Sequence, residues 1–222
     1  MNENIIQTID SLFPVYECVL PFSQKTVKFT PFKVKDAKIM ALISEEKNKK
    51  LILNSLIDLL KNKTKNVDIM DLCLADAEYL FLKIRSKSVG EHISLIVENK
   101  NVNLNIDEIK TKNTLSEKEI KISPALTLKL RVPKLKNLID INLDNKEEYI
   151  NSMIFSAIMG NEYFDLEKFV PEKIKEIIDN LPLKFLNELD SFYKEQPQLY
   201  IKLDNDSNER EVQGILTFFT LQ

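Results

Sequence analysis

The chain has 222 residues, of which 44% are hydrophobic and 29% charged, with a formal net charge of −3. That balance excludes a disordered chain and leaves enough bulk for a real core. It also lacks the strong basic excess of a nucleic-acid binder and the run of roughly 20 apolar residues that spans a bilayer, so neither nucleic acid nor membrane is expected as a partner. The opening MNENIIQTIDSLF has no basic leader and no long apolar run, so it does not read as a signal peptide, and the product is expected to stay in the cytoplasm where it is made. The only arginines are Arg85, Arg131 and Arg210; the other basic residues are lysine, a bias that fits an AT-rich genome.

In chain order, Ile5, Ile6, Ile9, Leu12 and Phe13 fall at helical spacing, and Pro14 ends that segment. Tyr16, Cys18 and Leu20, then Val27 and Phe29, alternate around a turn at Pro21 to Lys25, which predicts a β-hairpin. Ile39, Leu42 and Ile43 mark the inward stripe of one helix. Leu51, Ile52, Leu56, Leu59 and Leu60 mark that of a second, with a solvated charge run from Glu45 to Lys50 between them. The segment DAEYLFLKIRSKSVGE, Asp76 to Glu91, organises the rest. Tyr79, Leu80, Phe81, Leu82 and Ile84 make it apolar all round, which predicts a central buried rod. Asp76 reads as its N-cap and Gly90 as its stop, with Arg85, Ser86, Lys87 and Ser88 forming a polar, basic lip.

Beyond Gly90 a second hairpin is predicted, with Ile93, Leu95 and Val97 facing Val102, Leu104 and Ile106 across a turn at Glu98 to Asn101. Lys110 to Lys121 reads as a charged loop. Thr127 to Val132, bracketed by Pro124 and Pro133, reads as a short or edge strand with Leu126, Leu128 and Leu130 on one face. Tyr149, Ile150, Met153, Ile154 and Ala157 predict a helix stopped by Gly160. Pro171 opens another with Ile174, Ile177, Ile178 and Leu181 inward. After Pro182, Phe185, Leu186, Leu189, Phe192 and Tyr193 form a last helical stripe. Leu199, Ile201 and Leu203, a polar turn at Asp204 to Asn208 and EVQGILTFFTLQ make a closing hairpin. The expected fold class is α+β: a hairpin-plus-helices unit over 1–90, a central antiparallel β section over 91–145 and a helical unit over 146–222 closed by a hairpin, with one continuous domain as the alternative.

The residues offer little chemistry. Cys18 and Cys73 stand far apart without the close four-ligand spacing of a metal site, and two buried thiols are preferred to a disulfide. Three glycines cannot build a phosphate cradle. Asp204, Asp206 and Asn208 alternate as in a calcium loop, but the glycine and distal glutamate such a loop needs are missing. Glu147-Glu148 reads as ordinary helix surface. His92 is the one histidine, so a small hydrolase would have to be built on it. No catalytic residue, metal or cofactor is expected. Arg85 and Lys87 could grip a partner's carboxylate, though cations at a helix end also offset its dipole. Phe218 and Phe219 near the C-terminus read first as core side chains, with docking as the alternative.

Four segments in order resemble the T4-type bacteriophage baseplate protein family: YECVLPFSQKTVKFTPFKVKDAKIMALISE, AEYLFLKIRSKSVGE, the stretch EYINSMIFSAIMGNEYFDLEKFVPEKIKEIIDNLPLKFLNELDSFYKEQPQLYIKL and the ending VQGILTFF. The resemblance spans about residue 15 to the end. Many relatives carry Cys-x-x-Cys pairs, suggestive of zinc, in the central and final hairpins. Here those turns read Glu98-Asn99-Lys100-Asn101 and Asp204-Asn205-Asp206-Ser207, so that staple is not expected. The resemblance implies a non-enzymatic factor that helps build the baseplate hub in the host cytoplasm by holding hub or tape-measure-associated tail proteins. The alternatives are a permanent hub component of the virion, a hydrolase using His92, and a peptide-binding adaptor of the host. Arg85, Lys87, Phe218 and Phe219 are the expected protein-binding residues.

Overall fold

The computed structural model describes residues 5, 8, 9, 12–97, 100–114, 117–203 and 210–213; the side chains of 44, 93–97, 100–104, 201–203 and 210–213 are not described. The fold is α+β with antiparallel sheets, as the sequence pattern predicts. By contact the chain divides into two units, residues 1–111 with 199–222, and residues 112–198. Of the N-terminal helical stripe, only residues 5, 8 and 9 are described as helix.

The first unit opens with β1 (Tyr16–Val19) and β2 (Thr26–Phe29), paired antiparallel with Cys18 opposite Val27 and Tyr16 opposite Phe29. Period two sends Leu20, Val27 and Phe29 into the core. Three helices follow: α1 (Val34–Ser44), α2 (Lys49–Lys63) and α3 (Leu74–Val89). In α2 the stripe Ile52, Leu56, Leu59 and Leu60 is buried as expected, while Leu51 is exposed. Asn48 caps this helix, its side-chain oxygen accepting from Lys50 N at 3.0 Å and Leu51 N at 3.4 Å. Asn48→Ala should therefore lower stability in urea unfolding by about 1 kcal/mol.

Helix α1 departs from its predicted stripe. Ile43 is buried, but Ile39 and Leu42 face outward, with Leu42 72% exposed. The helix instead turns Asp36 inward, where the Lys63 ammonium meets it, and that pairing sets its rotation.

Helix α3 is the buried rod the sequence calls for: Leu80, Phe81, Leu82 and Ile84 are each at most 2% exposed. Phe81 packs against Phe32 with ring centroids 5.4 Å apart. Gly90 ends the helix at φ +110° and ψ 169°, a region open essentially to glycine alone. The expected cap is corrected. Cys73 occupies the N-cap position, and Asp76, at 0% exposure, reaches away from the helix to accept from Phe22 N at 3.0 Å and Ser23 N at 2.9 Å. The turn of the first hairpin needs those bonds more than the helix end does, because it has no ladder of its own.

The second hairpin is present as β3 (His92–Val97) and β4 (Lys100–Asn105), with Val97 opposite Lys100. β5 (Lys110–Lys112) joins β10 (Gln198–Leu203) and β11 (Arg210–Gln213) in the order β11-β10-β5, so the closing hairpin also forms.

The second unit is a sheet of β6 (Glu117–Ser123), β7 (Leu126–Arg131), β8 (Ile154–Met159) and β9 (Glu162–Asp165) in sequential antiparallel order. Ile120, Leu128, Ala157 and Phe164 stand opposite one another and carry the apolar face; Glu119, Lys129, Ser156 and Asp165 form an adjacent polar row. Glu119 and Lys129 close an ion pair at 2.6 Å. Between β7 and β8 run the short helices α4 (Leu135–Leu138) and α5 (Lys146–Asn151). Helices α6 (Pro171–Asp179) and α7 (Lys184–Lys194) contribute Ile174, Phe185, Leu189 and Phe192 to the core with Ile120, Leu128 and Leu130. Pro171 sits in the first turn of α6, as predicted. Leu186 of α7 faces outward rather than joining the stripe.

Three expectations fail here for one reason: strand pairing overrides local pattern. The charged loop at 110–121 contains β5 and most of β6, where Ile120 and Ile122 alternate among lysines and glutamates. β7 is an interior strand, because Pro124 and Pro133 lie just outside its ladder and block no bond. The helix predicted through Ala157 stops at Asn151, and Ile154 onward extends beside β7. Gly160 then turns β8 into β9 at φ +61°.

Candidate functional site

The second unit carries a groove of about 460 Å³. Its floor is apolar: Ile154 begins β8, Leu166 belongs to the 3-10 turn after β9, Ile174 comes from the first turns of α6, and all three are buried. Ile141, after α4, completes the floor, and Phe169, 39% exposed, stands at the side. These side chains converge because β8 packs on the 3-10 turn and α5 packs on α6.

The rim is acidic. Asp140, Glu147, Glu148, Glu167 and Glu172 line it against a single cation, Lys175. Lys175 pairs with Glu147, and that hydrogen bond raises the Lys175 pKa. Glu167 is held by the Arg131 guanidinium and by Asn137 Nδ2 at 3.1 Å. Glu148 accepts from Asn142 N at 2.6 Å and Asn145 Nδ2 at 2.9 Å, bracing the loop into α5. Asp140 and Glu172 are exposed and have no hydrogen-bond or ion-pair partner among the described residues. The arrangement offers apolar contact below and two free carboxylates above. Nothing in the residue pattern singles it out, because its lining comes from three separate stretches, 137–141, 145–154 and 166–175, and Glu147-Glu148 reads as plain surface.

The sequence-predicted lip lies elsewhere, on α3 of the first unit. Arg85 is half-buried, and burial lowers its pKa; its guanidinium reaches the His92 carbonyl oxygen at 3.5 Å. Lys87 is exposed and pairs with Glu91 at 3.3 Å, its ammonium 5.9 Å from the Tyr16 ring centroid. Lys83, one turn earlier, bonds Asp107 at 2.6 Å. Burial alone would pull its pKa down; the bond to Asp107, helped by Tyr79, lifts it overall. Ser86 is buried, and Ser88 Oγ donates to Ile84 O at 2.6 Å while accepting from Phe32 N at 2.8 Å. The lip is thus narrower than expected, and Lys83 and Lys87 are already engaged. His92 is exposed at the start of β3. Phe218, Phe219 and the Asp204, Asp206, Asn208 turn lie outside the described residues.

The sequence profile of the T4 bacteriophage base plate protein family matches residues 13–220. The chain belongs to that family. No curated protein and no solved structure matches it. In this baseplate protein the matched span includes both the groove and the α3 lip. Among the described residues no group of three His, Cys, Asp or Glu side chains could hold a metal ion. No helix among them is long and apolar enough to cross a membrane.

The baseplate protein's two cysteines are free. Burial pushes the Cys18 thiol up to about 11, with Asp76 adding to it and Lys83 opposing. Burial, then the Asp76 charge, pushes Cys73 up to about 12. Both stay protonated at pH 8, so the native chain should react with a thiol reagent far more slowly than the urea-unfolded chain, which a colorimetric thiol assay reads directly. The sign for stability follows. Above an ordinary thiol pKa near 9 the unfolded chain releases these protons and the folded chain keeps them, so stability falls as pH rises from 9 to 11.

Proposed function

We propose that this chain is a non-catalytic assembly factor of the phage baseplate hub, holding hub or tape-measure-associated proteins while the baseplate forms. The observation that carries the reading is the extent of the family match, residues 13–220, which assigns the baseplate role to the chain as a whole rather than to one appended part. A transient holder works through modest, partly polar contacts, whereas permanent interfaces bury larger apolar areas. Arg85, Lys87, Phe218 and Phe219 are proposed contacts with hub proteins.

Quantitative mass spectrometry of purified virions tests this. The chain should be abundant in infected cells and depleted from mature particles, while deletion of its gene should leave particles without baseplates. A stoichiometric presence in mature particles would establish the permanent component instead. A His92→Ala variant should support full phage yield; loss of yield with the fold intact would reopen the hydrolase reading.

A further inference from the structure

We propose that the groove of the second unit seats a short apolar segment of a partner protein bearing lysine or arginine on its flanks. The inference rests on the assembly reading above and names the chemistry of the segment held. The groove is apolar at its base, with Ile154, Leu166 and Ile174 buried beneath an opening of about 460 Å³. That space takes a few side chains, not the face of a folded domain, and it matches a helix-in-groove or extended-peptide mode. Charge then selects among apolar segments. The lining holds five carboxylates and one ammonium, and that ammonium is spent on Glu147. Asp140 and Glu172 are left to meet cations of the incoming segment. A segment with acidic flanks would be repelled, and so, to a lesser degree, would a second copy of this chain, whose net charge is −3. The Asn142 and Asn145 bonds to Glu148 and the Arg131 bond to Glu167 fix the rim before anything binds, which reduces the ordering cost of capture.

Three fluorescein-labelled peptides test the groove on the full chain by fluorescence anisotropy: Leu-Leu-Phe flanked by two lysines on each side, the same core flanked by glutamates, and the lysine flanks around serines. The lysine–apolar peptide should bind, more weakly at high salt, and the other two at least tenfold more weakly. D140N/E172Q should weaken it roughly 5- to 10-fold, the scale of two exposed ion pairs. Both side chains are exposed, so circular dichroism should be unchanged, and E172Q alone serves as a second variant. Equal binding of the glutamate peptide, equal binding of the serine peptide, an unaltered affinity in both variants, or concentration-dependent dimers lost in Phe169→Ser would each overturn the proposal.

Complementation of a phage lacking the gene separates this failure from failure of the assembly reading. Rescue by the wild-type chain, with at least a tenfold lower yield from D140N/E172Q/F169S, supports the groove. Equal rescue by both removes the groove and leaves the assembly role standing. Normal particles without any copy of the chain would remove both.

Discussion

Asp76→Ala should lower the unfolding free energy by about 3–4 kcal/mol in urea titration, one of the two largest losses expected for a single substitution in this protein. The carboxylate is completely buried and accepts from two backbone N–H groups, Phe22 at 3.0 Å and Ser23 at 2.9 Å. Hydrogen bonds to a charged group contribute about 1.5–3 kcal/mol each, and alanine would strand both donors. The turn they hold is already bent, with Gln24 at φ +56°, and is otherwise tied by Leu20 N to Lys25 O at 2.9 Å and Gln24 N to Leu20 O at 3.1 Å. Asp76→Asn should lose about half as much, since one oxygen still accepts while its amide faces a donor. The two thiols provide a second readout. Asp76's charge raises both Cys18 and Cys73, so removing it should bring each partway down and speed native-state labelling, while burial, the larger cause, remains. A loss under 1 kcal/mol with unchanged labelling would mean that the carboxylate does not hold the turn.

That dual role explains what the residue pattern could and could not convey. Leu80 to Ile84 declare a buried rod because no orientation of an all-apolar helix suits a surface. The hairpins at 16–29 and 92–105 follow from alternation that only a pleated strand satisfies. Asp76, by contrast, has the local signature of a cap, and its true partners lie more than 50 residues away. The same limit applies to Ile154 and Ala157. Their spacing fits a helix as well as a strand, and only pairing with Leu130 and Leu128 decides between them. The groove is the extreme case. Asp140, Glu147 and Glu172 are unremarkable surface acids until the fold brings them around Ile154, Leu166 and Ile174. On α3, the positions of Arg85 and Lys87 were readable from the chain, but their engagement with the His92 carbonyl and Glu91 was not.

Asp36 and Lys63 supply the other large effect. Their side chains are 5% and 3% exposed and in direct ionic contact, joining the first turn of α1 to the last residue of α2. Asp36 also accepts from Lys33 N at 2.6 Å, so one carboxylate caps α1 and neutralises the lysine. Removing either partner leaves a buried charge uncompensated, which costs about 3–5 kcal/mol. Lys63→Met should fall near the lower end of that range, because the cap survives. Asp36→Ala should fall near the upper end, because cap and counter-charge disappear together. Taking both charges away is different: no desolvated ion is left, and a methionine can fill the volume of the lysine stem. Asp36→Ala with Lys63→Met should therefore cost about 2 kcal/mol, well below the sum of the singles, giving a coupling of several kcal/mol in a double-mutant cycle. Additive losses would show that the two side chains stabilise α1 and α2 independently. The pair also accounts for the exposed Ile39 and Leu42, since turning Asp36 toward Lys63 rotates that apolar edge outward. Once the ion pair is replaced by apolar side chains, α1 is free to roll, and the double variant should bury Leu42, read as slower hydrogen exchange along α1 than in either single variant.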